Sequence, residues 1–216
     1  MVAFIDYGVG NLFSLKSSFE KIGQEVIITN KKEELLKADR VILPGVGAFG
    51  DASIKLKESG LVDFIKELAE SGKPIMGICL GMQLLFDKGF EHGEYEGLGL
   101  IKGEVRPISE TIPKGYKIPH IGWNRLELKK DSKLFKYIND GDFVYFVHSY
   151  SALNCDEAVS SVSEYGANLT ASVESGNIYG CQFTLKRAEK QVLIFLRLFV
   201  NFNFRKEICY GNFSCN

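Results

Sequence analysis

Cys79 lies in the run Gly77-Ile78-Cys79-Leu80-Gly81-Met82-Gln83, with one glycine two residues before it and another two residues after. A strand-like apolar stretch, Pro74 to Cys79, leads in, and a helical pattern, Leu80 to Phe86, leads out. This is the cysteine form of a nucleophile elbow, a sharp strand-to-helix turn that lifts a nucleophile above a sheet. Glycines on both sides permit the sharp turn and close backbone packing. A cysteine at a helix start is favoured as thiolate by the helix dipole and the first-turn N–H groups. The Leu80 N–H has no acceptor inside the first helical turn, so it can face a developing oxyanion. Taken alone, the motif fits a buried structural cysteine at a strand end equally well.

A second turn changes the balance. Pro44-Gly45-Val46-Gly47-Ala48-Phe49 follows another apolar strand, Arg40 to Leu43. In a parallel sheet the strand C-termini share one edge, where ligands bind, so Val46 or Gly47 can supply a second N–H opposite Leu80. The turn lacks the Lys-Ser/Thr pair of a phosphate-binding loop. Of the three histidines, His148 sits in an apolar strand and reads first as a hydrogen-bonded core residue. His120 follows a proline in a turn and reads as structural, and His92 lies among Glu91, Glu94 and Glu96 and reads as exposed.

The elements that must position these residues alternate. Val2 to Asp6 is a strand, Asn11 to Lys21 a helix with apolar spacing at Leu12, Leu15, Phe19 and Ile22, Glu25 to Thr29 a strand and Lys31 to Lys37 a short helix. Helices also fill Gly50 to Ser71. This βαβα rhythm predicts a three-layer α/β fold, a parallel core sheet with helices on both faces. From Gly97 to Gln182 short strands follow closely (98–104, 124–128, 143–147, 158–162, 170–173 and 178–183), and these predict antiparallel additions to the same domain. The 216 residues make a single domain with a sizeable core, without linker or repeat. A net charge of −1 gives no argument for nucleic acid or an anionic membrane as a partner. No apolar run is long enough to span a bilayer and no signal peptide opens the chain, so a cytoplasmic protein is expected. The five cysteines form no CxxC pair and an odd, irregular set, which fits reduced thiols better than disulfides or a metal site.

Four segments in order, P-G-V-G-A-F, G-I-C-L-G-M-Q-L-L-F, I-P-H-I-G-W-N and Y-F-V-H-S-Y, resemble the class I glutamine amidotransferases. More narrowly, Pro119 to Asn124 and the opening Asp6-Tyr7-Gly8-Val9-Gly10-Asn11 resemble the glutaminase subunits of imidazole glycerol phosphate synthases, enzymes of histidine biosynthesis. The resemblance implies that Cys79 attacks the side-chain amide of glutamine, through an oxyanion held by Leu80 and by Val46 or Gly47. Ammonia leaves and water hydrolyses the thioester to glutamate. Gln83 and the backbone around His148, Ser149 and Tyr150 would hold the substrate. Asn11, Pro119, Ile121 and Trp123 would lie near a (βα)8-barrel cyclase subunit that receives the ammonia. No cofactor and no metal is implied. A related enzyme with a sugar-amidating partner remains an alternative, and so does a subunit that binds its partner without turning over glutamine.

The chain departs from the family after Phe183. The family reads Q-F-H-P-E-K-S, with the His as base and the Glu orienting it, whereas here Gln182-Phe183 is followed by Thr184-Leu185-Lys186-Arg187. Thr184 stands at the His position and Lys186 at the Glu position. Threonine is no base near neutral pH, and lysine reverses the orienting charge. A family-like H-P-E-K-S-G-E-A-G, written CAC CCU GAA AAG AGC GGA GAA GCA GGU, becomes ACC CUG AAA AGA GCG GAG AAG CAG GU when its first base is lost. That reads Thr-Leu-Lys-Arg-Ala-Glu-Lys-Gln-Val, residue for residue Thr184 to Val192. Residues 184–216 therefore read as out of frame with the family, by a real deletion or a sequencing error. The following segment, Ala188 to Asn203, is apolar nearly all round and is expected to pack poorly.

Overall fold

A computed structural model describes residues 1–185 and 190–202. The first half builds β1 (Val2–Ile5), α1 (Leu12–Glu20), β2 (Val26–Thr29), α2 (Lys32–Lys37), β3 (Arg40–Gly45), α3 (Phe49–Glu58), α4 (Val62–Glu70), β4 (Ile75–Cys79) and α5 (Leu80–Gln83). The second half is strand-rich: β5 (Phe86–Gly89), β6 (Tyr95–Glu96), β7 (Ile101–Pro107), β8 (His120–Arg125), β9 (Glu127–Leu128), β10 (Phe143–His148), β11 (Tyr150–Leu153), β12 (Val159–Glu164), β13 (Asn168–Ser175) and β14 (Ile178–Cys181), before α6 (Lys190–Val200).

The main sheet has eight strands in the order β2-β1-β3-β4-β14-β13-β12-β9. Its first five are parallel, and β13, β12 and β9 extend it antiparallel. The parallel strands are apolar at successive positions because both faces are covered. Ala3, Ile5, Val41, Leu43 and Ile75 face α2, α3 and α4, while Val2, Phe4, Ile42, Met76 and Ile78 face α1 and α6. The expected three-layer α/β class is therefore present.

The expected antiparallel additions after Gly97 are present, shared among three sheets. β11-β7-β5-β6 form a separate sheet, in which β5 and β7 run parallel, and β8 with β10 forms a two-stranded ribbon. Two expectations, both about helices, need correction. The helix after Cys79 stops at Gln83, because Phe86 is drawn into register with Ile101 of β7 and its neighbours Leu84 and Leu85 are buried in the same core. The dipole of a four-residue helix is correspondingly small. The last helix packs well: Val192, Ile194, Phe195, Leu196, Leu198 and Phe199 are all buried, with Phe195 against Phe183 at 5.3 Å and Phe135 at 5.8 Å between ring centres. An all-round apolar helix suits a slot closed on several sides, here between the sheet and the segment from Leu126 to Ile138. Among the described residues no helix is long and apolar enough to cross a membrane.

Candidate active site

β4 ends at the nucleophile. Cys79 has φ 56° and ψ −116°, a left-handed conformation costly for any residue with a Cβ. Surrounding structure enforces it. A Cβ added to Gly81 would lie 1.9 Å from the Leu43 carbonyl oxygen, and one added to Gly77 would lie 2.4 Å from the Gly81 oxygen. A Cβ on Gly45, the β3 partner of Cys79, would lie 2.4 Å from the Gly81 nitrogen. Three glycines thus let the ends of β3 and β4 and the start of α5 stack backbone on backbone, which leaves Cys79 no relaxed alternative.

The turn after β3 is clamped at both ends. The buried Tyr7 hydroxyl donates to the Pro44 carbonyl at 2.7 Å, and the Phe49 N–H donates to Glu91 Oε2 at 2.7 Å. Burial pushes the Tyr7 phenol up, so it stays a donor. Between these clamps Val46 is half-exposed and Gly47 takes φ 93°, as a glycine can without strain. Val46 and Cys79 line one cavity of about 210 Å³, closed by Asn11 and Leu15 of α1, Tyr145 and Val147 of β10, and Thr184 and Leu185.

Thr184 therefore lines the same cavity as Cys79. Its N–H donates to the Tyr145 carbonyl at 2.9 Å, and the Ser18 hydroxyl donates to the Leu185 carbonyl at 3.1 Å, so β10 and α1 hold the segment against Cys79. Lys186 lies outside the described residues.

Beneath the cysteine two buried amides make a chain. Gln83 Nε2 donates to Gln182 Oε1 at 2.9 Å, and Gln182 Nε2 approaches Cys79 Sγ at 3.7 Å. The geometry is that of a cysteine thiol facing a glycine-rich turn across one cavity, with Thr184 on its wall.

A family model described as glutamine amidotransferase class-I matches residues 3–184. The chain belongs to the class I glutamine amidotransferases. Two relatives named "Imidazole glycerol phosphate synthase subunit HisH" are similar over most of their length. That of Aquifex aeolicus is 47% identical over 197 residues, 90% of this chain and 93% of its own. That of Lactococcus lactis is 49% identical over 183 residues, 84% and 89% of the two chains. Among solved structures, one titled "Crystal structure of glutamine amidotransferase" superposes with a TM-score of 0.72 at 20% identity, covering 94% of this chain and 98% of its own. "Structure of PurLQS from Thermotoga maritima" gives 0.70 at 22%, covering 93% and 97%. At such identities the likeness concerns the fold.

In this amidotransferase the other expected residues fall in two groups. Leu80 follows Cys79 at the start of α5, Val46 lines the Cys79 cavity with Gly47 next to it in the chain, and Gln83, linked to Cys79 through Gln182, is also within reach of the Tyr150 carbonyl at 3.4 Å. Ser149 and Tyr150 follow at the end of β10, beside Gln83. Pro119, Ile121 and Trp123 are exposed on or next to β8, and Asn11 both caps α1, accepting from the Ser14 N–H at 3.1 Å, and borders the Cys79 cavity. His148 is buried and hydrogen-bonded, as its apolar strand suggested, and His92 is exposed. Sequence reasoning missed Gln182, which had been noted only as the residue before the departure, and Glu91, whose role in holding the turn depends on a contact across 42 residues.

Burial also separates the cysteines. Cys155 is pushed up to about 11 and Cys181, wholly buried, further still, so neither supplies a thiolate near neutral pH. No described cysteine is in a disulfide.

Proposed function

We propose that the chain is the glutaminase subunit of an imidazole glycerol phosphate synthase, built to convert glutamine to glutamate and ammonia and to pass the ammonia to a cyclase partner. The observation that carries the reading is the strained Cys79 in one cavity with the Pro44–Gly47 turn and position 184. The thiolate adds to the glutamine carboxamide carbon, forming an S–C bond while the carbonyl oxygen takes the charge near the Leu80 and Val46 or Gly47 N–H groups. The C–N bond then breaks, ammonia leaves with a proton, and water cleaves the thioester to glutamate, returning the thiol.

A partner surface adjoins the cavity. In the ribbon, His120, Gly122 and Asn124 of β8 alternate inward with Val144, Phe146 and His148 of β10, which turns Ile121 and Trp123 outward beside Tyr145 and Val147. Ile121 is 57% and Val147 46% exposed, and Phe13 on α1 is 86% exposed. Exposed apolar side chains of this size suit a permanent partner. This outward face includes two residues that line the Cys79 cavity, Tyr145 and Val147, so ammonia released there emerges under the partner. The cytoplasm is the proposed location.

Two transfers in this sequence, to the leaving amine and from the attacking water, need a base that Thr184 does not provide. As written, the chain is proposed to retain the glutamine site but to turn over near background, which leaves it a scaffold that lets its cyclase partner use free ammonia. The test is the double substitution Thr184→His with Lys186→Glu in the complex. General acid–base catalysis contributes about 10²–10⁴-fold, so glutamate formation should rise by at least two orders of magnitude. No rise, with Cys79 still labelled by a glutamine chloroketone, would overturn the assignment of position 184.

A further inference from the structure

Behind the substrate segment runs a one-way chain of hydrogen bonds that uses both buried histidines. His148 Nδ1 lies 2.8 Å from the Tyr150 carbonyl oxygen. A carbonyl only accepts, so Nδ1 carries the proton and Nε2 of the neutral ring is an acceptor. His120 Nδ1 lies 3.0 Å from that Nε2 and must donate to it. His120 Nε2 is then an acceptor too, and Asn124 Nδ2 donates to it at 3.3 Å. The second hydrogen of the same amide goes to the Glu164 carbonyl at 2.7 Å, and Asn124 Oδ1 accepts from the Arg125 N–H at 2.8 Å. Every donor and acceptor is matched only when both rings are neutral and both are protonated on Nδ1. The His120 ring is further fixed between Phe146 at 4.9 Å and Tyr165 at 4.1 Å, both nearly parallel to it.

The chain ends at the carbonyl that Gln83 also approaches, and Gln83 leads through Gln182 to Cys79. We infer that His120 and His148 are positioning residues of the glutamine site, holding the 148–150 backbone and through it Gln83 in the arrangement that receives the substrate. This rests on the glutaminase reading above. Neither ring touches the Cys79 cavity, and neither is a base for the thiol; each acts through the Tyr150 carbonyl. A core histidine without such a task would need no second histidine to orient it.

The full chain, His148→Phe and His120→Phe are compared by calorimetric titration with glutamine and by the rate at which iodoacetamide alkylates Cys79. Phenylalanine keeps the ring and the stacking but removes the donor. His148→Phe should weaken glutamine binding about tenfold, the size of one buried hydrogen bond, and His120→Phe about threefold. The alkylation rate should stay within about twofold, because a small haloamide does not use the 148–150 segment. Equal glutamine binding in all three proteins overturns the positioning role, as does a parallel change in binding and alkylation, which would signal general loosening. If His148→Phe fails to fold, His120→Phe decides by the same criteria. Absence of glutamine binding by the unsubstituted chain would instead strike the glutaminase reading itself.

Discussion

Neutral histidines in a buried chain make the fold acid-sensitive in a calculable way. Burial is the main cause that lowers His148 from 6.5 to about 4; the Tyr150 carbonyl opposes it and the neighbouring His120 adds to it. His120 is also lowered by burial. The groups against the pair are each other, Phe146, the Tyr165 ring, the Asn124 amide and the Tyr150 carbonyl, with no carboxylate hydrogen-bonded to either ring among the described residues. For a group depressed on folding, the unfolded chain binds more protons between the two pKa values, so stability rises with pH there. Stability due to His148 is complete above about 6.5 and is lost as pH falls toward 4. At 1.36 kcal/mol per unit, a shift of this size corresponds to about 3 kcal/mol. Other carboxylates also titrate in this range, so the assay is a difference: urea unfolding of the native chain and of His148→Gln at several pH values between about 7 and 4. The stability advantage of the native chain should shrink by about 3 kcal/mol across that window. Curves that stay parallel would refute both the neutral tautomers and the hydrogen-bond direction drawn from them.

The elbow gives a second expectation. Gly81→Ala places a methyl 1.9 Å from backbone and should cost at least the ~1–3 kcal/mol of overpacking, with loss of Cys79 labelling, whereas Gly176→Ala, in open space at φ 60°, should cost only backbone strain of about 1 kcal/mol; equal midpoints in denaturant would contradict the close stacking. At the ribbon, Trp123→Ala with Ile121→Ala should weaken cyclase binding by about 2 kcal/mol or more without changing glutamine affinity, read by calorimetry against the purified cyclase. Removing the Tyr7 hydroxyl, as Tyr7→Phe, should leave the chain folded but lower the glutamate yield of the base-restored Thr184→His, Lys186→Glu protein about tenfold, because the Pro44 carbonyl loses its clamp; unchanged turnover would mean that the turn needs no anchor there.

Local chemistry was the legible part of this sequence. Glycine spacing around Cys79, the Pro44–Gly47 turn and the apolar runs of the parallel strands are dictated over a few residues, and the three-layer core followed from them. What escaped depends on pairing between distant segments. Leu84-Leu85-Phe86 continues a helical apolar pattern, yet Phe86 is claimed by β7, a choice local periodicity does not encode. His148 reads as a core histidine and His120 as a structural residue in a turn, and only the β8–β10 register sets them opposite one another. Gln182 offered no signal beyond its place before the departure; its contact with Cys79 spans 103 residues.

The departure after Phe183 shows why position and chemistry separate so cleanly here. Backbone bonds help place residue 184: its own N–H on the Tyr145 carbonyl, and the Leu185 carbonyl on Ser18. Those bonds do not depend on side-chain type, so they can hold position 184 at the Cys79 cavity whether threonine or histidine stands there. The helix that follows depends mainly on apolar volume, with one polar tie from Arg40 to the Val200 carbonyl, and a phenylalanine- and leucine-rich run supplies that volume in almost any order: Phe195 and Phe199 fill the gaps beside Phe183 and Tyr179. Packing tolerates reordered hydrophobic residues far better than proton transfer tolerates a lost base. Fold, family and the substrate-facing side of the site can thus all survive a reading in which turnover does not, and only a measurement on the 184 and 186 side chains reports on the reaction itself.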